Sequence, residues 1–197
     1  MSPMVASTPH HTRSHRAMSR QVFRWKTSPS LAGAPVCLHA WLSDPGSLTA
    51  RILKRCTHFQ VTVLREAHAH PHPEEYGLLG LVHQRHAWIR EVLLSADNVP
   101  VVFAHSVLCP KDLTGAWHMA RAIGSRPLGA ALFRDPGISR GPLSCTRIPA
   151  AHPLHRAASA AVNETLPTLW ARRSRFCRKG KPLLVSEVFL PGIAALP

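Results

Sequence analysis

Two apolar stretches each carry a charge that would be costly to bury, and these charges are the first candidates for chemistry. In KPLLVSEVFLP (residues 181–191), strand periodicity puts Leu183, Val185, Glu187 and Phe189 on one face and Leu184, Ser186, Val188 and Leu190 on the other. In WIREVLLSAD (88–97), Arg90 lies between Trp88 and Val92, with Leu94 continuing that face; Glu91, on the opposite face, is flanked by Ile89 and Leu93. An ionised group in such company needs a partner or a task. One reading is a buried ion pair, or an edge strand whose charges reach solvent. The other is an enclosed pocket for an anionic organic molecule. There the planar fork of an arginine would clamp a carboxylate bidentately, and a glutamate would handle a proton or a hydroxyl. Periodicity alone leaves open whether Arg90 or Glu91 points into such a pocket.

Other chemistries find little support. HHTRSHR (10–16) and the histidines of HAHPHPEEYG (68–77) resemble metal tracts, but neither has the spacing partners of a ligand set, and both read as solvated segments. GSRPLG (124–129) lacks the spacing and the Lys-Ser/Thr of a phosphate-binding loop, and no Ser/His/Asp set stands out. The expectation is therefore chemistry without metal or cofactor. Five cysteines form no C-x-x-C pair, which suits reduced thiols in the cytoplasm. No apolar run approaches the roughly 20 residues of a membrane span, and no apolar segment of a secretory signal follows the basic start.

The chain carries 24 Lys+Arg against 10 Asp+Glu. Such an excess fits a polyanionic partner or a small anionic substrate. The most basic segment, RRSRFCRKGK (172–181), lacks the interleaved aromatic residues of a nucleic-acid platform, which favours the small anion together with compositional bias.

The elements that would position Arg90 and Glu187 follow from pattern. Residues 1–40 form a basic extension, without periodicity over about the first 20, that reads as largely disordered; Met18 could be the start of translation. From Trp41 to residue 197 the signals are those of one α+β domain. SDPGSLTARILKRC (43–56) opens with turn residues and continues as a helix with Ser47 as N-cap. FQVTVLREA (59–67) reads as a strand, and WIREVLLSAD and VPVVFAHSVLCP (99–110) read as a hairpin. LTGAWHMARAIG (113–124) reads as a short helix ended by Gly124, and RPLGAALF (126–133) as a turn and a second helix. Residues 134–169 are weakly periodic apart from a strand at LSCTRI (143–148), and Lys179-Gly180-Lys181 turns a basic strand into the apolar one. Together these predict a mostly antiparallel sheet with helices grouped to one side.

In this order, WLSDPGSLTARI, VTVLREA, WIREVLLSAD, RPLGAALF, LWARRSRF and KPLLVSEVFLPG resemble the chorismate lyase family over residues 41–197. The resemblance implies a six-stranded antiparallel sheet with helices folded over one side. It also implies a monomer that releases pyruvate from chorismate to give 4-hydroxybenzoate for ubiquinone biosynthesis, with an enclosed site inhibited by its product. Carried over, it makes Arg90 the anchor of the ring carboxylate and sets Glu187 at the opposite end of the ring. Leu128 becomes a contact from a covering helix–turn. Leu48 stands where the family often has Met. A second cation is needed for the enolpyruvyl carboxylate, with His105, Arg172 and Arg173 as candidates, although a solvated basic strand is the better reading of the two arginines. The competing reading is a non-catalytic small-carboxylate-binding module of the same fold, as in the effector domains of certain transcription regulators.

Overall fold

The computed structural model describes residues 24–83 and 85–197. Strands β1 (Phe59–Ala69), β2 (Ala87–Ala96), β3 (Val99–Leu108), β4 (Ile138–Arg140), β5 (Ser144–Ile148), β6 (Leu169–Arg178) and β7 (Lys181–Phe189) form one antiparallel sheet in the order β1-β2-β3-β7-β6-β4, with β5 also pairing β6. The sheet therefore has seven strands, not the expected six. The edge position beside β6 is shared by β4 and β5, because Gly141-Pro142 interrupts the ladder and proline has no N–H to give it.

Both predicted hairpins form, each through a two-residue turn with positive φ: Asp97 (47°) and Asn98 (67°), then Lys179 (49°) and Gly180 (72°). These are the mirror-image turns whose twist matches that of the flanking strands. The β2–β3 register slips by one residue, since Ser95 pairs with Pro100 but Leu94 with Val102. The extra residue, Val101, is a β-bulge, and it decides which face every later β3 side chain occupies.

Helices cover both faces of the sheet, against the expectation of one. On the face carrying Arg90 lie α1 (Val36–Ser43), α2 (Leu48–Leu53), α4 (His118–Arg121) and α5 (Leu128–Arg134), with core residues Leu42, Ile52, Trp117 and Leu132. On the other face lie α3 (Tyr76–Leu79) and α6 (Pro153–Val162), where Leu79 packs with Ile89 and Val107, and Leu154 with Phe103 and Val188. The cause is the strands themselves: β2, β3 and β7 are apolar at both alternate positions, so both faces need cover.

Several local expectations hold. The Ser47 hydroxyl accepts from Ala50 N–H (3.3 Å) at the start of α2, and Gly124 stands at φ 54° after α4. The expected 113–124 helix is in fact a 3-10 turn (Pro110–Thr114) followed by the single turn of α4. Within 134–169, β4 and α6 appear beside the expected β5. The boundary expected at residue 41 falls inside α1, and Lys26 bridges to Cys145, so residues 24–40 pack with the domain. The extension up to residue 23, with HHTRSHR and Met18, lies outside the described residues.

Candidate active site

Four neighbouring strands pave one chamber. The floor is made by Arg90, Val92 and Leu94 of β2, Ala104 and Ser106 of β3, Val185 and Glu187 of β7, and Arg172, Ser174 and Phe176 of β6. Leu48 and Thr49 of α2, residues 127–129 with Leu132 and Phe133 of α5, and Arg140 of β4 close over it. The two covering helices meet tightly: a Cβ at Gly129 would stand 3.2 Å from Thr49 Oγ1. The sequence-predicted residues Arg90, Glu187, Leu128 and Leu48 all line this space. Across β2–β3–β7, Arg90 is in line with Ser106 and Val185, so Glu187 lies two strand spacings away across the sheet (about 10 Å) and two residues further along it.

Each charge is held by a partner, as the ion-pair reading expects, and both residues also line one cavity. Arg90, 2% exposed, pairs through Nη1 with Glu66, its cross-strand neighbour on β1, and its Nη2 donates to the carbonyls of Gly124 (2.6 Å) and Arg126 (3.4 Å). Those carbonyls belong to the loop entering α5, so one guanidinium fixes the chamber's end and its cover together. Glu187 accepts from Arg172 Nε (2.6 Å), its direct partner on β6. Arg172 Nη1 donates to the carbonyls of Trp41 (3.0 Å) and Asp44 (2.9 Å), tying the α1–α2 loop to the sheet. At 1% exposure Arg172 is not the solvated strand residue expected from composition. The loop it holds is stiff: Asp44 accepts from Gly46 N–H (2.7 Å) and pairs with Arg51 (2.8 Å). Burial pushes the Asp44 carboxyl pKa up, but these two contacts outweigh it and hold it below the usual value.

Two candidates fall outside the chamber. The bulge at Val101 turns His105 to the opposite face, where it pairs with Glu91 (3.0 Å) and Glu75 (3.4 Å) and stacks on His72 (4.8 Å between centroids). Burial alone would push His105 down; the hydrogen bonds to Glu75 and Glu91 outweigh it and raise its pKa to about 9. Arg173 is on that face too, over the Trp25 ring (4.1 Å), with burial pushing its pKa down to about 10 against the pull of Glu74 and Glu75. The HAHPHPEEYG segment is therefore more than a solvated loop, because His72 and Glu75 come within 4.8 Å of His105 at their ligand-type atoms. A protonated His105 between two carboxylates has no lone pair to offer an ion, so the cluster reads as an internal charge network.

Sequence reasoning missed Arg140. Its Nε donates to Ser174 Oγ (2.9 Å), its Nη1 to the carbonyls of Pro45 and Gly46, and its guanidinium faces the rings of Phe133 (5.3 Å) and Phe176 (5.4 Å). It lies in the weakly periodic 134–169 segment, where no strand alternation marked a face. An open groove of about 1040 Å³ beside Leu79, Lys111 and Lys181 contains none of the chamber's residues.

The family model described as chorismate lyase matches residues 19–195. A probable chorismate pyruvate-lyase of Aromatoleum aromaticum is 54% identical over 175 residues, 88% of this chain and 95% of that protein. One from Thiobacillus denitrificans is 47% identical over 165 residues, 84% and 88% of the two chains. Among solved structures, the PhnF C-terminal domain shares the fold with a TM-score of 0.53 at 15% identity, covering 71% of this chain and 87% of that one. With that coverage and identity, the chain belongs to the chorismate lyase family.

Proposed function

We propose that the protein removes pyruvate from chorismate to give 4-hydroxybenzoate, by an elimination that needs no metal or cofactor. The observation that carries this reading is the meeting of Arg90, Leu48, Leu128 and Glu187 around one chamber in a chain of this family. Chorismate is a dianion. The chamber wall holds three arginines and one carboxylate, and with Glu66 paired to Arg90 the balance remains positive, which suits an anion.

The reaction breaks the C3–O ether and the C4–H bond; the ring becomes aromatic and the departing enolpyruvate takes up a proton to become pyruvate. No electrons leave the organic frame, so positioning and charge stabilisation are the main tasks. Arg90 takes the ring carboxylate. Its contacts to Gly124 and Arg126 couple that carboxylate to the α5 cover. Glu187, oriented by Arg172, receives the C4 hydroxyl end of the ring or accepts the C4 proton. Leu48 and Leu128 exclude water from above, and Leu48 in place of the family's frequent Met keeps the same apolar bulk. Closure by α2 and α5 predicts slow product release and inhibition by 4-hydroxybenzoate.

We place the protein, as a monomer, in the cytoplasm, supplying 4-hydroxybenzoate for ubiquinone biosynthesis and binding no nucleic acid. Among the described residues no helix is long and apolar enough to cross a membrane. Incubation with chorismate in the presence of chelator tests the function: equimolar 4-hydroxybenzoate and pyruvate are expected. Tight binding of 4-hydroxybenzoate with no turnover would identify a non-catalytic module instead.

A further inference from the structure

The chamber's three guanidiniums differ in one respect. Arg90 has Glu66 and Arg172 has Glu187, whereas Arg140, among the described residues, makes no ion pair. Its donors go to a hydroxyl and two carbonyls, all neutral. A partly buried cation walled by two phenyl rings, with carboxylates nearby but none in ion-pair contact, is unfavourable for folding alone. Burial, reinforced by the nearby charge of Arg172, lowers the Arg140 pKa against the opposing pull of Glu187 and Asp44.

Its place is informative as well. Arg140 lies close enough to Arg172 and Glu187 to feel both charges, so it belongs to the Glu187 end of the chamber. If chorismate's ring carboxylate is on Arg90 and its C4 hydroxyl at Glu187, the C3 ether and its enolpyruvyl group fall beside Glu187. Arg172 is already ion-paired there to Glu187 through Nε (2.6 Å), whereas Arg140 gives its Nε to a neutral hydroxyl. Resting on the chorismate reading above, the geometry points to Arg140 as the carboxylate subsite for the enolpyruvyl side chain, the group that substrate has and aromatic product lacks. Because Nη1 of the same guanidinium holds the Pro45 and Gly46 carbonyls, occupancy of the subsite is felt directly by the loop that starts α2.

The test compares substrate with product. Arg140→Gln should lower kcat/KM for chorismate at least tenfold while the Kd for 4-hydroxybenzoate stays within threefold of wild type. Arg140→Lys, which keeps the charge without the fork, should recover part of the loss and replaces the Gln variant if that one does not fold. Equal losses for chorismate and 4-hydroxybenzoate, or no loss for either, would overturn the subsite. Wild-type protein that does not turn over chorismate would instead remove the function on which the subsite rests.

Discussion

The two faces of one sheet solve the same problem in opposite ways. The sheet carries buried charges on both sides, Arg90 of β2 and Arg172 of β6 in front and His105 of β3 behind. Behind the sheet, His105 sits between Glu75 and Glu91, stacked on His72, and the charges satisfy one another with the rings in contact. In front, Arg90 and Arg172 are paired but held apart, Arg140 is left over, and space remains between them. A network that closes on itself supports the fold; one that stops short, with surplus charge facing a cavity, keeps a place for a ligand of opposite charge.

Breaking the front face should cost the most. Arg172→Ala strips Glu187 of its orienting partner and removes two ties to the α1–α2 loop. We expect at least a hundredfold fall in kcat/KM and a stability loss of about 3 kcal/mol, read by steady-state assay and denaturant titration. Arg90→Ala should lower kcat/KM about tenfold to a hundredfold, since a buried charge-assisted contact is worth roughly 1.5–3 kcal/mol, and here product affinity should fall with it. An unchanged value would take Arg90 out of the site. Glu187→Gln sharpens the proton question: turnover near that of wild type would leave Glu187 as a positioning group and assign the base to the substrate's own side chain.

The rear face should answer to pH and stay silent in the assay. His105 has its pKa raised to about 9 in the fold, so its stabilising contribution is fully present below the unfolded value near 6.5 and is lost as pH rises through 9. Wild type should lose unfolding free energy across this window, and His105→Gln, less stable at pH 7, should show a flatter profile with kcat/KM within threefold. A parallel profile would mean that another group carries the titration. The smallest effect is expected for Leu48→Met, a near-isosteric change at 3% exposure: less than threefold in KM and under about 1.5 kcal/mol in stability.

The site was partly legible in the sequence, and the reasons are local. Charges on alternating apolar strands marked Arg90 and Glu187, and the Lys179-Gly180 turn carried more information than its use as a boundary. Counting back from a two-residue turn sets Arg172 opposite Glu187. The same count from Asp97-Asn98 would set His105 opposite Arg90; the bulge at Val101 makes that partner Ser106 and sends His105 to the rear. A one-residue slip of this kind leaves no signal in hydrophobic period, which is why a histidine could look like a chamber residue. The seventh strand and α6 were hidden in a segment rich in Pro, Ala and Arg. β4 is three residues long, and the apolar stripe of α6 is built largely from alanines beside Leu154 and Val162.

The central claim is that Arg90 and Glu187 face one ligand from opposite ends. A crystal structure of the complex with 4-hydroxybenzoate tests it most directly. The account predicts the ring carboxylate on the Arg90 guanidinium and the hydroxyl at Glu187, beneath Leu48 and Leu128. Ligand lodged in the groove beside Lys111 and Lys181, or behind the sheet near His105, would contradict it.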